Sequence, residues 1–267
     1  TCGDGVSKML RCTDMERRYQ LTGGASAGLA VAFNAPLTGI VFAFEEAHRR
    51  FTPAIFICAF SSVLSAIITR NVLFELMHME VASTFTTFTL VQMPLKSYGY
   101  VAIAAVLSGL LGFGFYSLCL LSRKIFAKIT FAKGLGKMLI PFLAAGVFGL
   151  ISVAVMGGGH SFIQSLGTNG ATREQTVATI FSSPVVVSLL LVLVMRILAT
   201  ALNLGAGVPC GIFIPMLSIG ACIGALVSKL CGAIGMDAVY GDCIVMICMA
   251  TFFASIVKAP ITAIVMV

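Results

Sequence analysis

The chain has 267 residues, 59% of them hydrophobic and 10% charged, with a mean hydropathy of +1.05. Soluble domains carry about 25% charged residues, so this chain cannot cover a water-facing surface and reads as an integral, multi-pass membrane protein in the lipid bilayer. The net charge of +7 is no nucleic-acid footprint, because the basic residues cluster in connectors between apolar runs, as cytoplasmic loops do.

In chain order, Arg11, Arg17 and Arg18 form the first basic cluster. Residues 23–46, GGASAGLAVAFNAPLTGIVFAFEE, are two apolar stretches broken at Asn34-Ala35-Pro36 and ending on Glu45–Glu46, just before basic His48–Arg50. An uncharged span follows at 52–69, then a nearly balanced connector at 70–97 (Arg70 and Lys96 against Glu75 and Glu80). The 25 uncharged residues of 98–122 exceed a perpendicular crossing and imply tilt or protrusion. The connector 123–137 is strongly basic, with Arg123, Lys124, Lys128, Lys133 and Lys137. A further span is expected at 138–156, and a connector with one Arg and one Glu at 157–183. Two apolar segments lie in 184–235. The 15 residues of 243–257 are short for a full crossing. Basic and neutral connectors alternate, as successive crossings require. The chain starts abruptly at TCGDGVSKML and stops inside APITAIVMV, as expected of a piece of a longer membrane protein.

An internal repeat is legible. AFNAPLTGIVFAF at 32–44 and SIVKAPITAIVMV at 255–267 align at an offset of 224 residues without a gap. Ala35–Pro36 falls on Ala259–Pro260, Thr38 on Thr262, and Ile40–Val41 on Ile264–Val265. A proline at the start of the second stretch, with polar Asn34 or Lys258 before it, suits two short helices meeting partway through the membrane. Repeats with broken helices are how many transporters build a site at the bilayer midplane.

A second break lies at 205–211, GAGVPCG, between apolar runs. Irregular backbone at membrane depth is tolerated where it is buried in protein or lines a cavity. The helix that resumes near Ile212 presents backbone N–H groups and a positive dipole end, which attract anions. No Asp or Glu lies within 205–235, so no local carboxylate serves a cation.

These residues carry a resemblance. GVPCGIFIPMLSIGA is similar to the signature loop-helix of the CLC chloride channel and transporter family, and residues 23–46 resemble its second signature block. GGGH at 157–160 and KAPITAIVMV match in order. The resemblance implies an all-α polytopic fold with inverted repeats and broken, re-entrant helices. Here it is a partial transmembrane domain over 1–267, with the first repeat ending near 130 and a truncated second repeat over about 131–267. It implies a homodimer with one anion pathway per subunit, chloride and protons as ligands, and no cofactor. It places the anion at Gly211, Ile212, Phe213, Ile214 and Pro215, with the backbone amides of Ile212 and Phe213 central. A bulky residue at Gly211 is expected to distort that loop. The family's external glutamate gate is expected about 13 residues before Thr1 by the same offset.

Glu46 matches the family's intracellular proton-transfer glutamate, where the channels typically carry valine. The resemblance thus implies chloride/proton antiport, with a passive voltage- or ligand-gated chloride channel as the alternative. From the residues alone, Glu45 and Glu46 read as boundary acids beside a basic loop, and the family match is what favours proton transfer. A cation-coupled transporter is disfavoured by the missing acids near the second break.

Other motifs lead nowhere. GASAG at 24–28 fits a hydrolase nucleophile elbow, but its flanks are apolar and helical, so Ser26 reads as a small packing residue and no enzyme activity is expected. There is no His-Glu-x-x-His, the nine cysteines lack metal-ligand spacing, and His48, His78 and His160 read as loop residues, so no metal is expected. Arg196 sits inside a span, where it must be paired or face a cavity.

Overall fold

The computed structural model of the protein describes residues 2–9, 12–79, 88–129, 135–167, 185–208 and 210–267. Arg11, Glu80, Lys133, Pro209 and residues 168–183 of the fourth connector lie outside them. Every regular element among the described residues is helical. In order these are α1 (Cys2–Met9), α2 (Asp14–Phe33), α3 (Pro36–Phe42), a π-helical segment (Ala43–His48), α4 (Pro53–Leu76) and α5 (Tyr98–Lys128). There follow α6 (Leu135–Ile151), α7 (His160–Ser165), α8 (Val185–Ala206), α9 (Phe213–Ala233), α10 (Gly241–Val257) and α11 (Pro260–Met266). Short 3₁₀ turns precede α5, α7 and α10. Five helical stretches among the described residues are long and apolar enough to cross a membrane: Pro53–Leu76, Leu95–Lys128, Val185–Ala206, Phe213–Ala233 and Ala238–Val257. The chain forms two compact units, Thr1–Thr84 with Val257–Val267, and Phe85–Ile256.

In the first unit α2 opens on a capping box. The Thr13 hydroxyl accepts from the Glu16 N–H, and the Glu16 carboxylate accepts from the Thr13 N–H at 2.8 Å. α2 ends where Pro36 forbids continuation. A residue before proline is pushed out of the α region, and Ala35 accordingly has φ −128° and ψ 87°. To reach that geometry the chain turns through left-handed Asn34, φ 52°. The break before α11 is built the same way: Lys258 has φ 61°, Ala259 has φ −127° and ψ 76°, and Pro260 is the first helical residue. α3 and α11 pack on each other, and Thr38 and Thr262 are both fully buried. α4 runs past the expected end of its span at residue 69. Arg70 does not stop it, because Nη1 donates to Asn34 Oδ1 at 2.7 Å and Nη2 to Asn71 Oδ1 at 2.8 Å. The polar residue of the first break therefore provides the acceptor that lets a charged residue stay within the helix.

In the second unit α5 has 31 residues, about 46 Å of helix, and includes Arg123, Lys124 and Lys128, which the sequence places in a connector. Lys137 Nζ donates to the Phe126 carbonyl at 3.1 Å and so caps the end of α5. α6 ends at Ile151, short of the expected 156, and gives way to the turn Val153–Val155. The stretch ending at Val257, expected to be short, starts at Ala238 and reaches 20 residues. Asp242 is buried inside it, with its carboxylate accepting from the Thr89 N–H at 3.2 Å. α9 and α10 cross closely at two glycines four apart. A Cβ on Gly224 would lie 2.5 Å from the Val245 Cα, and one on Gly220 would lie 2.8 Å from the Met249 Cα. This is the small-xxx-small packing by which membrane helices approach one another.

Candidate anion and proton sites

The first candidate site lies in the first unit, on the π-helical segment. A π turn carries an extra residue per turn, and such segments recur at functional sites. Here it carries Glu45 and Glu46 in succession, and their surroundings differ. Glu45 Oε1 accepts from the Ile261 N–H at 2.9 Å, and Oε2 accepts from the Thr262 N–H at 2.6 Å and the Thr262 hydroxyl at 2.8 Å. Its carboxylate thus closes the start of α11, where the N–H groups and the helix dipole favour negative charge. Glu46 has no such tether among the described residues, where its Oε2 is buried without a hydrogen-bonding partner. His48 ends the segment, with Nε2 2.8 Å from Thr22 Oγ1 and its ring 5.7 Å from that of Tyr19. It belongs to the helical segment and not to a loop. Arg49 then reverses the chain at φ 52°. Ser26 and Thr38 are fully buried with hydroxyls that find no partner among the described residues, and Ser26 lies at a close helix contact, where a Cβ on Gly39 would strike its carbonyl oxygen.

The second lies in the second unit, at the break between α8 and α9. The helix resumes at Phe213 with Ile212 as its N-cap, without a side-chain cap and without an acid in its first turn. Its positive end is therefore not neutralised by a carboxylate of that turn. Gly211 and Pro215 line a cavity of about 580 Å³, together with Cys210, Gly157, Gly158 and Arg196. The Phe213 ring packs on Phe253 at 5.3 Å, and Ile214 lies against Gly158. Gly211 departs from expectation. It is not in the left-handed region, and a Cβ there would meet open space, so a larger residue would fill the cavity rather than strain the loop.

Arg196 is the residue whose environment no sequence pattern predicts. It is 4% exposed, and Nη1 donates to Ser218 Oγ at 2.8 Å. Nη2 donates to the Ala154 carbonyl, and the guanidinium stands 4.7 Å over the Phe162 ring. Ser218 Oγ in turn donates to the Pro215 carbonyl at 2.8 Å. One side chain thereby joins the turn after α6, α7 and the first turns of α9. GGGH makes room for this: Gly159 is left-handed at φ 101°, and a Cβ there would strike Arg196 and come within 2.6 Å of the Ser218 Cβ. His160 opens α7 instead of lying in a loop. Among the described residues no His, Cys, Asp and Glu cluster suited to a metal occurs.

A family model described as voltage gated chloride channel matches residues 1–267. Among curated proteins, one named H(+)/Cl(-) exchange transporter ClcA, from Vibrio cholerae serotype O1 (strain ATCC 39541 / Classical Ogawa 395 / O395), is 32% identical over 278 residues, covering 99% of this chain and 54% of the relative. Another of that name, from Cronobacter sakazakii, is 29% identical over 95% of this chain and 52% of its own length. The chain thus spans about half the length of the curated relatives it matches. A solved structure described as a slow cyanobacterial Cl-/H+ antiporter superposes with a TM-score of 0.73 at 25% identity, over 99% of this chain and 59% of that one.

Proposed function

We propose, on the premise that this chain belongs to the voltage gated chloride channel family, that it is part of a multi-pass membrane antiporter exchanging chloride for protons. The observation that carries the proton half is the division of labour between the paired acids. Glu45 is held by three hydrogen bonds to the start of α11, whereas Glu46 keeps a buried oxygen that has no partner among the described residues. A proton carrier must gain and lose its proton without dismantling the fold, and of the two only Glu46 meets that condition. The backbone amides of Ile212 and Phe213, with Gly211, Ile214 and Pro215, are the proposed anion site. A helix start attracts an anion without the grip of a formal charge, so the ion can leave again. The names of the relatives support exchange.

The matching backbone breaks at Asn34–Pro36 and Lys258–Pro260 support a repeat that divides near residue 130, its second copy running over 131–267. The protein is proposed to act as a homodimer, with parts of 35–46, 52–69 and 259–267 at the contact and packing as the driving force. Cross-linking in membranes that yields monomers at every protein density would refute the dimer.

The test of exchange is paired chloride-efflux and pH recording on liposomes containing the protein. The unmutated protein should drive protons uphill on a chloride gradient, and Glu46→Gln should move chloride alone. Continued proton pumping by Glu46→Gln would remove Glu46 from the path. Chloride flux without any proton movement in the unmutated protein would favour the channel reading that the family description carries.

A further inference from the structure

α5 is the longest helix among the described residues, and its two faces differ in kind. One face carries Phe115, Cys119, Ser122 and Phe126 at helical spacing, and all four are buried. It packs on α8, where a Cβ on Gly205 would strike Ser122 Oγ. The opposite face carries Val106, Leu110, Phe113 and Leu121, all exposed. Ser117 lies in the same stripe, and its hydroxyl donates to the Phe113 carbonyl at 3.0 Å, so it adds no unmet polar group. At the same spacing the stripe continues into Lys124 and Lys128, both exposed, with exposed Arg123 beside them.

These three cations lack a local counter-charge. No acid occurs between Arg123 and Lys137, and among the described residues none of the three is paired with a carboxylate. Lys124 and Lys128 stand at i and i+4, where like charges repel each other. The carbonyl of Phe126 is already met by Lys137. From Phe113 to Leu121 the helix rises about 12 Å, and the hydrocarbon of one leaflet is about 15 Å deep, so a single acyl chain covers that part of the stripe.

We infer that the outward face of α5 is a binding site for an anionic phospholipid, with the headgroup phosphate between Lys124 and Lys128 and an acyl chain along Leu121 and Phe113. The apolar part of the stripe takes any lipid chain. The cations choose among headgroups: a zwitterionic lipid brings its own positive charge to a site that already holds three, whereas a net negative one relieves the repulsion. The ligand belongs to the leaflet that the basic connectors face, and it is a component of the membrane, not a transported ion.

The 267 residues contain no tryptophan, so a tryptophan placed on the stripe is a usable reporter. The complete protein carrying Leu121→Trp is reconstituted in phosphatidylcholine vesicles. These contain, at equal mole fraction, either phosphatidylglycerol or phosphatidylcholine with brominated chains, and quenching is read against the protein without the substitution. Brominated phosphatidylglycerol should occupy the site at least ~3-fold more strongly, in line with the attraction of basic residues for anionic headgroups. Lys124→Gln with Lys128→Gln should make the two lipids equal, and Lys124→Arg with Lys128→Arg should keep the preference. Val106→Trp, about 22 Å away along the same stripe, should show equal quenching by both. Equal occupancy at Leu121→Trp, a preference that survives the two glutamines, or the same preference at Val106→Trp would each overturn the site. So would a reporter at Leu121 that neither lipid quenches, because protein would then cover the face. The lipid comparison is made with all three cations in place, so the outcome does not depend on a variant that fails to fold.

Discussion

Glu45 and Thr262 stand 217 residues apart in sequence, yet one oxygen of the Glu45 carboxylate accepts both the backbone N–H and the side-chain hydroxyl of Thr262. The bond joins the end of one proline-started helical segment to the beginning of the other. It also removes one of two adjacent acids from consideration as a mobile proton carrier.

Replacing Glu45 should therefore affect the fold before it affects proton movement. Glu45→Ala leaves the start of α11 without its acceptor and should cost about 2 kcal/mol. Glu45→Gln keeps one oxygen acceptor and should cost less. Thermal unfolding in detergent measures both. An Ala variant as stable as the unmutated protein would show that the tie does not support α11.

At Gly211 the expected outcome separates packing from binding. A Cβ there meets open space, so Gly211→Val should leave the melting temperature nearly unchanged. The same side chain would occupy the cavity wall at the proposed anion site, and calorimetric chloride affinity should fall several-fold. Loss of stability together with affinity would instead indicate a strained loop.

Gly224 is the opposite case. Its Cβ would overlap the Val245 backbone, which cannot yield as a flexible side chain would. Gly224→Val should force α9 and α10 apart at a cost of about 3 kcal/mol or more. Gly232, where a Cβ has no neighbour within 4 Å, is the control, and Gly232→Ala should be tolerated. Comparable expression and melting of the two variants would contradict the close crossing.

The capping box of α2 gives a pH dependence. Glu16 is held below its usual carboxylate value of 4.5, first by the Thr13 backbone N–H and then by the Thr13 hydroxyl. A folded pKa below the unfolded one means that the stabilisation is present above about pH 4.5 and is lost as pH falls through the folded value. Thr13→Ala should accordingly lower the melting temperature at pH 7 and matter less at pH 3.5. An effect of equal size at both values would exclude the charged cap.

Much of the membrane architecture was decided by local chemistry and is therefore legible in the sequence. Pro36 and Pro260 exclude helix at the residue before them through short-range sterics, so both breaks could be placed before any tertiary contact was known. The apolar runs located five spans, while the one expected at 138–156 is a shorter helix ending at Ile151, and the break at 205–211 located the resumption of helix at Ile212–Phe213. The ends of helices were less legible, because charge alone does not end a helix when a distant group receives it. Arg70 stays within α4 through Asn34, and Asp242 stays within the last span through Thr89. The same reason hid the chemistry of the sites. Glu45 and Glu46 are neighbours of identical type, and only the packing of α11 against the π-helical segment distinguishes the tethered acid from the free one. Arg196 announced an unmet need in the sequence. Which hydroxyl, carbonyl and ring meet it depended on segments up to 42 residues away that share no pattern with it, and so did the cavity it opens on.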